Sequence, residues 1–383
     1  MAINNRNNNT LTIRILCAVS FFVFTFCFLY FYQGDLIGAV QHVLSDGQTS
    51  YSRLVGAVIV TLALYIIQIG IYTITKFNRQ AHSLTYFPSL MLLCLLTSVE
   101  DTFDQHFAFT AWTWFSPLLV VIFVVVSYML AKYISYIPDG SGNGIFSGTT
   151  MQNMLSMAFM FMLVGIFSNG NDVLHYRMRI ERYITECRYA EALELGKSSS
   201  ETDSSLVMLR ASVLARSGQL GERLFEYPLI GGSASLLPNG NSVRCVRYDP
   251  GNIYRVAGAV PKARISVADY LNTVRMTKQT KSGYADYLLC SYLLDKRLDL
   301  FSKELGNYYK LDSTSVLPKH YREALVLYLH QHPTATYVFH DDVCETDYED
   351  LLAIRRKFRN QSDCQAILRD TYGKTYWYYY LYM

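Results

Sequence analysis

The sequence predicts an all-α protein in two parts: a polytopic helical membrane domain of about five spans, then a helical, repeat-like domain. Three observations predict it. Only 17% of the 383 residues are charged, against ~25% in an ordinary soluble domain. The deficit is local, because residues 1–175 hold 6 Lys/Arg and 7 Asp/Glu while 176–383 hold 28 and 24. Apolar runs fill the first part, and a 3.6-residue apolar period takes over in the second. A wholly soluble enzyme, a disordered chain and a disulfide-dense miniprotein are thereby excluded. A net charge of +3, with no run of five or more basic residues, gives no footing for nucleic acid.

Within the membrane domain, 1–171, five runs lack charge: 15–32, 54–75, 84–99, 109–131 and 151–168. A helix needs ~20 residues at 1.5 Å each to cross the hydrocarbon. The third run is short and carries Pro88, so it reads as tilted, re-entrant or extended. The first run exceeds the ~7–15 apolar residues of a signal peptide and no small-residue cleavage motif follows, so it reads as an uncleaved span. Lys and Arg in the flanks of successive spans number 2, 1, 2, 0 and 1. That alternation predicts a cytoplasmic N-terminus in a cell membrane and, with five spans, an extracytoplasmic C-terminal domain. Arg177, Arg179 and Arg182 point the other way, but large domains translocate largely regardless of charge.

Tyr30, Tyr32, Trp112, Trp114, Tyr133 and Tyr136 sit at the span ends, where amphipathic rings favour the interface. Leu36, Ile37, Val40, Val43 and Leu44 have helical spacing, read as a helix lying on the bilayer or one packed on the bundle. The apolar runs contain no Asp, Glu, His, Lys or Arg. An ion-coupled transporter needs such groups, so the spans read as an anchor or assembly surface.

The second domain, 172–383, reads as helices and polar turns with an irregular insertion at 231–251 and a short hairpin at 243–248. Ser266 with Asp269, and Thr346 with Glu349, fit helix starts. A helix begins at Pro318 with Tyr321, Ala324, Leu325, Tyr328 and Leu329 on one face, and Pro333 stops it. Cys187–Gly196 can be laid on Gly218–Tyr227, an offset of 31, each after an amphipathic helix. A third copy, 284–309, has Lys296 at the Gly position, and 348–372 is a fainter fourth. Tyr189-Ala-Glu-Ala-Leu193 and Ala211 to Gly218, with Pro228 beyond, resemble the tetratricopeptide repeat. The whole layout, ending in the Tyr-rich run 371–380, resembles uncharacterised membrane proteins of Bacteroides-type bacteria. That resemblance implies a bacterial membrane and no particular activity.

The function expected is a membrane-anchored scaffold that binds a partner protein through an extracytoplasmic groove of paired helices. Arg210, Arg216, Tyr287 and Tyr292, on first helices of pairs, are the expected contacts. The alternative is a membrane enzyme acting on a lipid-linked substrate through the acidic loop 100–106, with Glu100, Asp101 and Asp104 as acid–base groups; a solvated loop explains the same residues. His330, His332 and His340 are metal-ligand types, but their spacing misses tetrahedral zinc geometry and a helix C-terminus favours His330 by itself. The Gly-rich stretch 139–148 lacks the Lys of a phosphate loop and reads as a connector. No motif calls for a cofactor. Of eight cysteines, five lie in the second domain and none makes a Cys-x-x-Cys. The terminal Tyr376–Tyr382 run reads as the closing element of the helical domain or an interfacial anchor.

Overall fold

The computed structural model describes residues 2–103, 112–133, 147–310, 317–333, 339–358 and 360–383. No strand occurs among them. The chain forms two compact units, Met1–His175 and Tyr176–Met383.

In the first unit, α1 (Ala2–Cys27) runs on through a π turn, Phe28–Tyr32, into the short α2 (Gly34–Leu44). Next come α3 (Arg53–Thr75), a 3₁₀ segment (Arg79–Tyr86), α4 (Phe87–Thr97), α5 (Trp112–Tyr133) and α6 (Gly148–Phe167). Among the described residues three helical stretches are long and apolar enough to cross a membrane: Leu11–Tyr32, Arg53–Thr75 and Gly148–Phe167. Many apolar side chains of α3 and α6 point outward, with Ile74 80% and Leu155 73% exposed, while Ala57, Leu64, Met157, Met160 and Val164 join an apolar core. Several polar ones, Gln68 and Asn153 among them, point inward. Gln68 on α3 donates to Thr85 Oγ1 (2.8 Å), and Ser89 donates to the Leu64 carbonyl (2.8 Å). Asn153 on α6 accepts from the Ser83 N–H (2.8 Å) and donates to the Arg79 carbonyl (2.9 Å).

These bonds explain the third apolar run. Pro88 occupies the first turn of α4, where a missing N–H costs nothing. The backbone ahead of it tightens into the 3₁₀ segment, and Asn153 and Gln68 satisfy part of that turn. α2 buries Asp35, Leu36, Gly38 and Ala39, so the packed reading of the first-loop helix is the one observed. At the same end Arg53 donates to the Tyr30 carbonyl, stacks on the Tyr30 ring and lies 3.9 Å from the buried Asp35 carboxylate.

In the second unit, α7 (Asp172–Thr185, of which Tyr176 onward belongs here), α9 (Ser204–Arg216) and α13 (Tyr284–Leu294) each turn back into a short helix: α8 (Tyr189–Glu194), α10 (Leu220–Arg223) and α14 (Leu298–Leu305). The three turns share one geometry. Cys187 (φ +57°), Gly218 (φ +66°) and Lys296 (φ +57°) are left-handed. Each donates its N–H to the carbonyl three residues back, at 3.1, 3.2 and 3.1 Å, and the next N–H reaches five back, at 2.8 Å each time. This is the Schellman end of a helix, and the following helix starts two residues after the left-handed one. Lys296 therefore fills the position aligned with Gly218.

α11 (Pro250–Ala257), α12 (Val267–Met276), α15 (Lys319–Gln331), α16 (Asp342–Lys357), α17 (Gln361–Tyr372) and α18 (Tyr376–Tyr382) complete the unit. Gly221 lets α10 meet α15: a Cβ there would stand 2.5 Å from the Tyr321 ring.

Three expectations are corrected. The hairpin at 243–248 is not formed, because its backbone donors are taken: the N–H groups of Val246, Arg247 and Tyr248 all bind the Glu181 carboxylate, at 3.0, 2.6 and 3.0 Å. α16 starts not at Thr346 but four residues earlier, capped by Asp341, which accepts from the Cys344 N–H (3.0 Å). α15 is buried well beyond the one face expected, since His320, Glu323, Val326 and Leu327 are covered too. Ser266 caps α12 as its spacing implied, accepting from the Asp269 N–H (3.1 Å).

Candidate functional site

α9 carries the first of the expected contact residues. Its sequence from Leu206 to Ala215 has one charge, Arg210, and every residue in it is buried. Arg210 is 1% exposed. Its Nη2 donates to the Leu195 and Gly196 carbonyls (3.1 and 3.0 Å), and the guanidinium lies 5.1 Å from the Tyr227 ring centre. Burial pulls its affinity for protons down. Tyr287 on α13 is likewise wholly buried. Neither side chain reaches solvent, so Arg210 and Tyr287 cannot contact a partner as expected. The signal was present in the sequence: a helix apolar all round is a central helix, with no wet face to offer. Arg216, half-buried, donates to Tyr248 Oη (2.9 Å) and the Asn252 carbonyl (2.7 Å); it ties α9 to α11.

Tyr292 is half-buried and does border a surface. Around it stand Arg275, Arg297, Glu304 and Tyr308. Arg275 and Glu304 pair at 3.0 Å, which raises the arginine's proton affinity. Tyr308 is 37% exposed, and its ring lies edge-on to Tyr284 at 6.2 Å. Rigid tyrosines with an arginine are the residue types that bind other proteins at low entropic cost.

Two buried carboxylates hold this unit together. Glu181 is 0% exposed, and burial pushes its proton affinity up against the pull of three backbone N–H groups and Arg177. Glu323 accepts from the Tyr376 N–H (2.7 Å) and from or donates to His320 Nδ1 (2.9 Å). Its carbonyl takes the Trp377 Nε1–H (2.7 Å), and Tyr379 Oη donates to the Leu294 carbonyl (2.8 Å). The terminal aromatic run thus packs on α13 and α15.

The three histidines do not converge. His330 rests on the Tyr348 ring (4.9 Å between centres) and His332 stacks on Tyr328 (4.5 Å). His340 bonds Asp342 (2.8 Å) and Glu345 (2.9 Å). Among the described residues no trio of His, Cys, Asp or Glu is placed to hold a metal.

In the first unit the acidic loop lies at the end where α1, α4 and α6 finish. Glu100 is exposed, and the described part of the loop is a turn, with the Phe103 N–H on the Glu100 carbonyl (3.1 Å). Asp101 holds two side-chain amides, Asn169 (3.0 Å) and Asn171 (2.6 Å). Asn169 also donates to the Val99 carbonyl (2.7 Å) and takes the Gln33 amide on its own carbonyl (3.1 Å). Asp101 is thereby a clamp on the end of α6. Asp104 lies outside the described residues, as does most of the Gly-rich 139–148 stretch.

Neither the curated proteins nor the solved structures hold a match to this chain. One family model does match, over residues 102–265 and 266–383, which is most of the sequence, and its description is "Family of unknown function (DUF6057)". The chain belongs to the DUF6057 family.

Proposed function

We propose that the protein is a membrane-anchored scaffold whose C-terminal unit, a tetratricopeptide-like array of helical hairpins, holds a partner protein outside the cytoplasm. The observation that carries it is the shared turn at Cys187, Gly218 and Lys296. Helix pairs joined by one repeated connection stack through their neighbours and present a continuous surface. The contact surface on this reading is centred on Tyr292, Tyr308 and Arg275 rather than on Arg210 and Tyr287.

On this reading the first unit crosses five times, which its packing supports. The 3₁₀ segment and α4 together run past α3 from the Arg79 end to Thr97, whose carbonyl meets the Asn169 N–H at 2.9 Å. α5 has 22 residues, and apolar side chains are exposed on most of its surface. The charge pattern favours a cytoplasmic N-terminus. Arg14 packs on Tyr72, which brings this basic residue to the end that holds Lys76 and Arg79. At the opposite end the cation of the first loop, Arg53, is engaged with Asp35 and Tyr30. Arg177 and Arg182 are engaged with Asp203 and Glu186 (both 3.0 Å), which weakens the contrary signal after the last span.

Crosslinking in cells, followed by purification of the tagged full-length chain, tests the scaffold. The expected result is one protein in near-equal amount, lost with Tyr292→Ala plus Tyr308→Ala. Recovery of a lipid-linked sugar with no protein would overturn it and favour the enzyme at the acidic loop. Orientation is read from Cys187, which is exposed: a membrane-impermeant maleimide labels it in intact cells if the unit lies outside, and only after lysis if it lies inside.

A further inference from the structure

The second unit divides its charge between two faces. Residues 255–281, from α11 through α12 to the turn after it, hold six Lys/Arg and one Asp. Residues 341–350, the cap and first half of α16, hold six Asp/Glu and no Lys/Arg. The basic stretch folds into one surface. The Lys281 N–H donates to the Ala257 carbonyl (3.0 Å), and a Cβ on Gly258 would stand 2.5 Å from the Val274 side chain, so the ends of α11 and α12 meet. Arg275 is neutralised by Glu304. Arg255 and Arg264 donate to the neutral amides of Asn252 (2.8 Å) and Asn241 (3.2 Å) and keep their charge. Lys262, Lys278 and Lys281 are exposed and have no ion pair among the described residues. On α16, Asp341, Asp342 and Glu345 are engaged by Arg322 or His340. Asp347, Glu349 and Asp350 are exposed, again with no ion pair among the described residues.

A second, independent feature marks the same two faces. Among the described residues of this unit the two most exposed large apolar side chains are Met276, at 86%, and Val343, at 71%. Met276 ends α12, two positions before Lys278. Val343 shares one side of α16 with Asp347 and Asp350, four and seven positions on. Each face thus joins an uncovered apolar side chain to unpaired charges of a single sign, and the two signs are opposite. We propose that two copies of this chain dock through these faces, the α11–α12 face of one on the α16 face of the other. Charge complementarity points to a second copy as the occupant, since like faces repel and unlike faces attract and fix the register. Exposed ion pairs by themselves are worth little, and Met276 against Val343 supplies the apolar centre that such an interface needs. Each copy carries both faces, so the contact closes as a two-fold pair or continues head to tail.

Crosslinking between two differently tagged full-length copies tests it. One carries Thr277→Cys, beside Met276, and the other Thr346→Cys, near Val343; both positions are exposed. A short bismaleimide is expected to join residue 277 of one copy to residue 346 of the other, at least about tenfold more than it joins two Thr277→Cys copies. Raising the salt from about 0.1 M to about 1 M cuts the screening length from about 10 Å to about 3 Å and should lower the yield severalfold. Lys278→Glu with Lys281→Glu in both copies should abolish the product, and so should Asp347→Lys with Asp350→Lys in both. With the lysines reversed only on the Thr277→Cys copy and the aspartates only on the Thr346→Cys copy, the product should return, which also shows that the reversed chains are folded. No product between 277 and 346, a product indifferent to the reversals, or no return in the mixed pair would overturn the proposal. Crosslinking of residue 277 to a different protein in place of residue 346 would overturn it too.

Discussion

Both units bury an apolar core, but they differ in what else faces in and out. In the first, Ile74 and Leu155 face outward while Gln68, Thr85, Ser89 and Asn153 are inside, bonded to backbone or to one another. In the second, α9 and the terminal aromatics are inside, and the buried polar groups include the carboxyl groups of Glu181 and Glu323, each enclosed by backbone donors or a histidine. The difference teaches what supplies the packing energy in each. Water drives apolar side chains together in the second unit. Lipid offers no such drive, so close packing of the apolar core and a minority of polar side chains would together fix how the helices of the first unit meet.

The largest effect should come from Glu181→Ala. It strands three part-buried backbone N–H groups, each worth about 1 kcal/mol or more, so the loss should be about 3 kcal/mol. Denaturant unfolding of the C-terminal unit's helices, followed in the full chain, measures it. Glu181→Gln keeps an acceptor and should cost less.

Asn153→Leu is the matching change in the first unit. It strands the Ser83 N–H and the Arg79 carbonyl and should destabilise the bundle by about 1–2 kcal/mol, read as a lower thermal midpoint in detergent. If Asn153→Leu instead stabilises the bundle, the contrast between the two units breaks.

Gly218→Ala sharpens the comparison among hairpins. No neighbouring atom lies within 4 Å of the added Cβ, so the cost is the left-handed backbone alone, about 1 kcal/mol. Cys187→Gly should move stability the other way, because glycine relieves the same strain. Paired thermal melts of the two variants check the signs.

The smallest effect concerns His340, whose pKa is raised above its ordinary 6.5 by its bond to Glu345, then by the charges of Glu345 and Asp342. Its protonated form is favoured by the fold. The stabilisation is therefore complete below pH 6.5 and is lost as pH rises through the raised value. His340→Gln should flatten that part of a melting-temperature profile and leave the rest unchanged.

How much was legible in advance depended on the range of the interaction. The turn equivalence of Gly218 and Lys296 follows from a short local alignment, and helix caps such as Ser266 need only the next three residues. The burial of Arg210 and Tyr287 was legible only in part: the apolar sequence around Arg210 implies a central helix, whereas nothing local covers Tyr287. The loop at 243–248 was misread because its partner, Glu181, is some 65 positions away. The clamp role of Asp101 depends in the same way on Asn169 and Asn171, about 70 positions on.

By itself the sequence determined that this chain is helical, that its first part holds helices apolar enough to cross a membrane and that its second is a set of helices joined by polar turns. Charge density, apolar run length and helix-end chemistry are properties of neighbouring residues. The tertiary structure alone decided which helices are enclosed, where the third apolar run breaks, and which polar groups are spent inside the fold. Those outcomes require two distant segments to meet, and a buried hydrogen bond or a covered face exists only once they have.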